Sequence, residues 1–164
     1  MLILAVDPGY AHLGWALLDV TGSARRRRIV ESGSYTGPSD VPDDVRMNAA
    51  MDVVVNELAM SNASAVAVED YIWIGPRSAT RNGFAVARMV GRVEGLARHA
   101  GCRLVTLSRP EVLRHYGLTG KAPKRRVRAF IETMTGYRPA NEHEVDAVAL
   151  GWVAAARLEV TWAG

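Results

Sequence analysis

Residues 2–20 read LILAVDPGYAHLGWALLDV, an apolar run interrupted by Asp7-Pro8-Gly9 and resumed after it. Two strands joined by a short loop satisfy that pattern, over 2–6 and 14–20. Asp-Pro-Gly is good turn chemistry: Asp accepts local backbone hydrogen bonds, Pro presets φ, and Gly tolerates a positive φ. The crevice outside the carboxyl ends of central strands is also where α/β sheets hold ligands. Asp7 is therefore either a turn residue or a site residue, and the rest of the chain has to decide between them.

Working outward, RRRRIVESGSYTG (25–37) reads as a third, alternating strand closed by Gly37-Pro38. A helix is predicted over 42–59, opened by PDD, followed by a fourth strand, AVAVEDYIW (65–73). The loop GPRSAT (75–80) leads into a long helix over 79–99, and CRLVTLS (102–108) is a fifth strand. Two shorter helices over 110–116 and 123–135 precede a last helix over 142–159. The first three strands sit on short connections and form an antiparallel meander. The fourth and fifth each arrive through a helical crossover and lie parallel to the first. The fold class is α/β: a five-stranded mixed central sheet flanked by helices. Near-continuous apolar runs such as LILAV and AVAV fit strands covered on both faces.

At 164 residues the chain is expected to form one domain, 1–164, with a single sizeable core. A hydrophobic share of 49% against 23% charged residues fits a globular protein. No apolar stretch reaches membrane-spanning length and no basic segment precedes one at the start, so a cytoplasmic setting without a membrane partner is expected. Cys102, the lone cysteine, lies in an apolar run and is expected to be a buried core thiol. The net charge is only +3, but of 20 basic residues just Lys121 and Lys124 are lysines, and the basic residues cluster in 24–30 and 120–128. Such clusters point toward a nucleic-acid partner.

Asp7 and Glu69 each end an apolar strand, and the predicted topology sets them at the same end of neighbouring central strands. The third piece is NEHEVDAVALGWVAAA (141–156), whose apolar stripe is 145, 148, 149, 152 and 156. Glu142, His143 and Asp146 share a face near the start of this helix. Asn141 with Glu144 fits a capping box, which gives Glu144 a structural role. Asp146, flanked by Val145, Ala147 and Val148, lies within the apolar part of the pattern, where a carboxylate without a partner is costly. Packed over strands one and four, this face brings Asp146 to Asp7 and Glu69, and three converging acids call for a cation. Carboxylates with one imidazole suit Mg²⁺ or Mn²⁺. Two such ions, about 3.5–4 Å apart, can activate water and stabilise a leaving phosphodiester oxygen.

Strand-one AVDPG followed by GWALLD, strand-four VAVED, then GKAPKRRV, then a final-helix His-x-x-Asp with DAVALGWVAAA resemble, in this order, the RuvC family of Holliday junction resolvases. The resemblance implies a ribonuclease H-like fold and a divalent-metal-dependent endonuclease that resolves four-way DNA junctions by paired nicking in recombination and repair. It implies that Asp7, Glu69, His143 and Asp146 form the catalytic and metal-binding quartet, with two ions per site, and that Lys124 stands near the scissile phosphate. After the catalytic Glu the family commonly carries an aromatic that stacks on opened bases. Here Ile72 occupies the best-aligned position, and the flanking Tyr71 and Trp73 are the aromatics expected to contact DNA in its place.

Under that resemblance the basic residues acquire a partner. Arg77, Arg81, Arg88 and Arg92 fall on one helix face and track phosphates; on residues alone they read as a solvated stripe. Val86, Val90, Val93 and Ala97 make a separate apolar face, and Gly91 allows a second subunit to approach in a homodimer, as two symmetric strands require. Lys121, Lys124 and Arg125 crowd the first turn of a helix, where cations oppose the dipole unless an anion arrives. Arg25–28 reads as a charged edge strand that blocks pairing. The competing readings are a related nuclease acting on RNA or other branched DNA, and a non-catalytic junction-binding protein. A branch-migration motor as further partner is left open by the sequence.

Overall fold

The computed structural model describes residues 1–21, 27–71, 81–119 and 124–162, and of 81, 82 and 160–162 the backbone alone. Five strands, β1 (Leu2–Asp7), β2 (His12–Asp19), β3 (Arg28–Thr36), β4 (Ala65–Asp70) and β5 (Arg103–Ser108), form one sheet in the order β3-β2-β1-β4-β5. β1 and β2, and β2 and β3, pair antiparallel, whereas β1 with β4 and β4 with β5 pair parallel. Helices α1 (Asp43–Ser61) and α2 (Arg81–His99) cover one face. The other carries α3 (Arg109–His115), α4 (Lys124–Thr135) and α5 (Glu142–Trp162).

Strict alternation divides the core into two layers. Leu4, Val6, Val66 and Val68 pack with Met47, Val54 and Met89 of the α1/α2 layer. Ile3, Ala5, Ala16, Ala65 and Ala67 pack with Val145, Val148 and Leu150 of α5. Four of these five sheet residues are alanines, and the helix comes close. A Cβ at Gly151 would stand 2.3 Å from Leu18 Cδ1 and 3.0 Å from Ala5 Cβ. Burial reaches beyond the anticipated stripe to Ala147, Leu150, Ala154 and Ala155, because α3 and α4 cover the back of α5.

Three expectations need adjusting. β2 begins at His12 rather than at 14, since His12 and Leu13 pair with Thr36 and Tyr35 across the ladder. β4 ends at Asp70, so Tyr71 follows the ladder instead of extending it. Cys102 is half-buried, donating from Sγ to the Ala63 carbonyl at 3.1 Å at the rim of the α1/α2 layer. β3 pairs with β2 alone and is an edge strand, with Arg28 at its start; Arg25 and Arg26 lie outside the described residues.

Val90, Val93 and Ala97 belong to the core, because α2 turns them onto the sheet beside Met89. This part of the apolar face read from their spacing therefore packs on the sheet and not on a second subunit. Val93 has no exposed surface, so Val93→Asp is expected to cost roughly 3 kcal/mol or more in unfolding free energy, read as a large fall in Tm. An unchanged Tm would place that face outside the core. The exposed face of α2 instead carries Phe84, Arg88, Gly91 and Gly95, and nothing approaches within 4 Å of either glycine's Cβ position.

Candidate active site

The same alternation that builds the core aims the acids. Asp7 continues the Ile3–Ala5 side of β1, and Glu69 continues the Ala65–Ala67 side of β4. Both thus face α5 at the carboxyl ends of adjacent parallel strands. The β1–β2 register pairs Asp7 with Gly14, and Gly14 is where α5 begins to lie on the sheet. A Cβ there would stand 2.1 Å from the carbonyl oxygen of His143 and 2.5 Å from its carbonyl carbon. Only glycine admits this contact, and it seats the first turn of α5 beside Asp7.

The start of α5 is fixed by its own polar groups. Asn141 Oδ1 accepts the backbone N–H of His143 at 3.0 Å and of Glu144 at 3.1 Å, closing the helix N-terminus. Glu144, 6% exposed, accepts from Asn141 Nδ2, the Ala140 N–H and Ser32 Oγ, whose oxygen lies 2.9 Å from Tyr137 OH. Its structural role stands, but through the Asn141 side chain, the Ala140 N–H and the edge strand β3 in place of the capping-box bond to the Asn141 backbone. His143 Nδ1 then lies 3.2 Å from Asp7 Oδ2. A carboxylate only accepts, so the imidazole donates from Nδ1.

Asp146 lies one turn on, its side chain 12% exposed, and accepts from Lys124 Nζ of α4 at 2.7 Å. Lys124 also stands 3.4 Å from Glu142. Arg109, first residue of α3, places its guanidinium 4.0 Å from Glu69 and 3.8 Å from Asp146. An open cleft of about 200 Å³ is lined by Asp7, Gly9, His12, Glu69, Tyr71 and His143 among others. The structure thus gathers Asp7, Glu69, His143, Asp146 and Lys124 at one end of the sheet.

Electrostatics report the crowding. Burial first, and then the charge of Asp7 with a smaller part from Asp146, push Glu69 up to about 7 against the pull of Arg109 and Lys124. Asp146 is also raised, chiefly by burial, which outweighs its bond from Lys124. Burial works against the charge of Lys124, but Asp146 and Glu142 carry its pKa above the ordinary lysine value. The hydrogen bond to Asp7 raises His143 despite its burial. Among the described residues no three His, Cys, Asp or Glu side chains are already drawn together around one point; Lys124 and Arg109 offset part of the acidic charge.

A raised carboxylate makes the ionised form a liability to the fold. Below about 4.5 the side chain is protonated in both states; above that the unfolded chain ionises first, and the folded protein loses stability until about pH 7. In metal-free buffer, Glu69→Gln is expected to stabilise the fold at pH 8, by on the order of 3 kcal/mol, and to change Tm little at pH 4.5. Equal Tm for both proteins at pH 8 would contradict the crowding.

Of the other residues singled out as DNA contacts, Arg88 on α2 and Arg125 on α4 are exposed, and Tyr71 is half-buried on the cleft wall. Arg92 donates to Asn48 Oδ1 at 2.9 Å, so it also ties α2 to α1. Arg81 opens α2, its side chain undescribed, and Ile72, Trp73, Arg77 and Lys121 lie outside the described residues. Sequence reasoning missed Arg109 and His12. Arg109 follows the strand next to β4, and the crevice rule that singles out Glu69 applies to it equally. His12 shares a β2 face with Gly14, which becomes visible only when the strand is seen to start at 12.

No family model matches the chain. It is 28% identical over 155 residues to the crossover junction endodeoxyribonuclease RuvC of Rubrobacter xylanophilus, covering 91% of this chain and 82% of that one. Thermus thermophilus RuvC superposes with a TM-score of 0.79 at 24% identity over 97% of each chain, and the same protein in complex with a Holliday junction substrate with 0.80. The fowlpox virus Holliday junction resolvase gives 0.63 at 14% identity, covering 96% of this chain and 99% of that one. The fold is that of RuvC, the ribonuclease H-like architecture anticipated from the sequence.

Proposed function

We propose that this chain, similar from end to end to RuvC resolvases, is a divalent-metal-dependent endonuclease that resolves four-way DNA junctions by paired nicking. The observation that carries the reading is the convergence of Asp7, Glu69 and Asp146, from β1, β4 and α5, beside the imidazole of His143 and the ammonium of Lys124. A non-catalytic junction binder has no use for clustered carboxylates that repel its ligand. Asp7, Glu69, His143 and Asp146 are the residues we assign to hold Mg²⁺ or Mn²⁺, two ions per site, because their oxygen and imidazole donors suit those cations. Bound there, the ions would polarise the phosphodiester and lower the pKa of a water nucleophile.

The chain's own residues do the remainder. Lys124 and Arg109 are held near the scissile position by the carboxylates, and a phosphate in the cleft offers both a second anion. Arg88, Arg125 and, by the sequence alone, Arg77, Arg81 and Lys121 supply charge that tracks the backbone without reading bases. Tyr71 and Trp73 are proposed to meet opened bases. We further propose one domain acting as a homodimer, since a junction presents two symmetric strands, and the open face of α2 around Gly91 and Gly95 supports close subunit approach. The half-buried, unpaired Cys102 suits the reducing cytoplasm we take as its setting.

The test is incubation with synthetic four-way, forked, linear and RNA substrates in Mg²⁺ or Mn²⁺. Symmetric paired nicks in the four-way junction alone are the expected product. Equal cleavage of linear duplex, or none of any substrate, would overturn the reading.

A further inference from the structure

His12 has no part in the site as the sequence presents it, yet its ring lies face to face with that of His143. The centroids are 5.3 Å apart and the planes 10° from parallel. His12 and Gly14 alternate onto the same face of β2. Residue 143 is consequently gripped twice by one strand: its backbone against the bare Cα of Gly14, and its imidazole against the imidazole of His12. A third contact, Nδ1 to Asp7 Oδ2 at 3.2 Å, comes from the neighbouring strand β1.

The His143 ring is only partly covered, its side chain 35% exposed. One hydrogen bond to Asp7 fixes the Nδ1 edge of the imidazole and leaves the tilt of its plane only loosely set. A parallel ring removes that freedom, because the stacked arrangement holds the plane while the hydrogen bond holds the edge. His12 is itself placed by the sheet: its backbone pairs with Thr36, its Nδ1 lies 3.4 Å from Thr36 Oγ1, and Gly37 N–H donates to the Ala11 carbonyl at 2.9 Å. The stacking face is thus anchored to the β2–β3 ladder, independently of α5.

We propose that His12 is a positioning residue, whose ring orients the imidazole of His143 toward the cleft it shares with Asp7 and Glu69. This rests on the junction-cleaving reading above for its catalytic consequence, and on geometry alone for the stacking. What the position requires is a flat ring. His12 is exposed at the start of a strand, and replacing it disturbs no core contact.

Three proteins separate the cases: wild type, His12→Leu and His12→Phe. In metal-free protein labelled with ¹⁵N and ¹³C, the His143 ring protons of wild type should show the upfield displacement that a stacked neighbour imposes. His12→Leu should abolish it and His12→Phe should restore it. In cleavage assays, His12→Leu should lower kcat about tenfold with KM within about twofold, and His12→Phe should recover most of kcat. Unmoved His143 resonances in His12→Leu would overturn the stacking, and equal loss of kcat in Leu and Phe variants would overturn the requirement for a ring. If wild type cleaves no junction in either metal, the functional reading fails, while the His143 resonances still decide the positioning role.

Discussion

Asp7→Asn, Glu69→Gln and Asp146→Asn are each expected to lower junction cleavage by roughly a thousandfold or more, with junction affinity kept or increased. The three side chains come from β1, β4 and α5 and meet at the end of the sheet, so none duplicates another's position. On the proposed reading, binding rests on exposed cations such as Arg88 and Arg125, which these substitutions leave in place. Asp146→Asn has an added consequence. Lys124 now spends its charge on Asp146 at 2.7 Å and on Glu142 at 3.4 Å. Neutralising Asp146 frees much of that charge for phosphate, and the salt dependence of junction binding should steepen. Single-turnover cleavage beside binding titrations at several salt concentrations checks both parts. Wild-type cleavage by any of the three would remove that residue from the site.

Gly14→Ala should cost cleavage about a hundredfold, although residue 14 carries no functional group. The new methyl would fall 2.1 Å from the carbonyl oxygen of His143, and the start of α5 must withdraw by about 1 Å or more. His143 moves with it, away from Asp7, and Asp146 follows one turn later. Overpacking of this kind also costs about 1–3 kcal/mol of stability, so a lower Tm accompanies the rate loss. Because the displaced element carries the proposed catalytic groups and not the exposed cations of α2, the rate should fall in kcat at unchanged junction affinity. Full activity in Gly14→Ala would mean that α5 can shift without disturbing the site, contrary to the tight seat described here.

Much of this arrangement is legible in the chain. Apolar runs that stop at Asp7 and Glu69, and crossovers that make those strands parallel neighbours, place two acids together before any coordinates exist. The i, i+3 spacing of His143 and Asp146 adds the third element, and Asn141 with Glu144 announces where that helix begins. Local periodicity encodes these features because each depends on residues a few positions apart. The apolar face of α2 shows where such local reading stops. Its spacing proves that Val90, Val93 and Ala97 share a side, but says nothing about whether a sheet or a second subunit lies opposite.

Other features depend on residues far apart in the chain, and only packing decides them. Arg109 reaches Glu69 and Asp146 because α3 starts where β5 ends, beside β4. Gly14 and Gly151 look like interchangeable small residues until α5 descends onto β1 and β2 at both points. His12 finds His143 across 130 intervening positions because the strand and the helix begin at the same side of the cleft. The sequence by itself determined the order of elements, the mixed sheet and the acids at the carboxyl end of its central strands, through hydrophobic alternation and capping chemistry that act locally. The tertiary structure decided which cations neutralise those acids, which glycines set the helix height and which ring faces His143, since distances of a few ångströms between separate elements are set by close packing of the whole core.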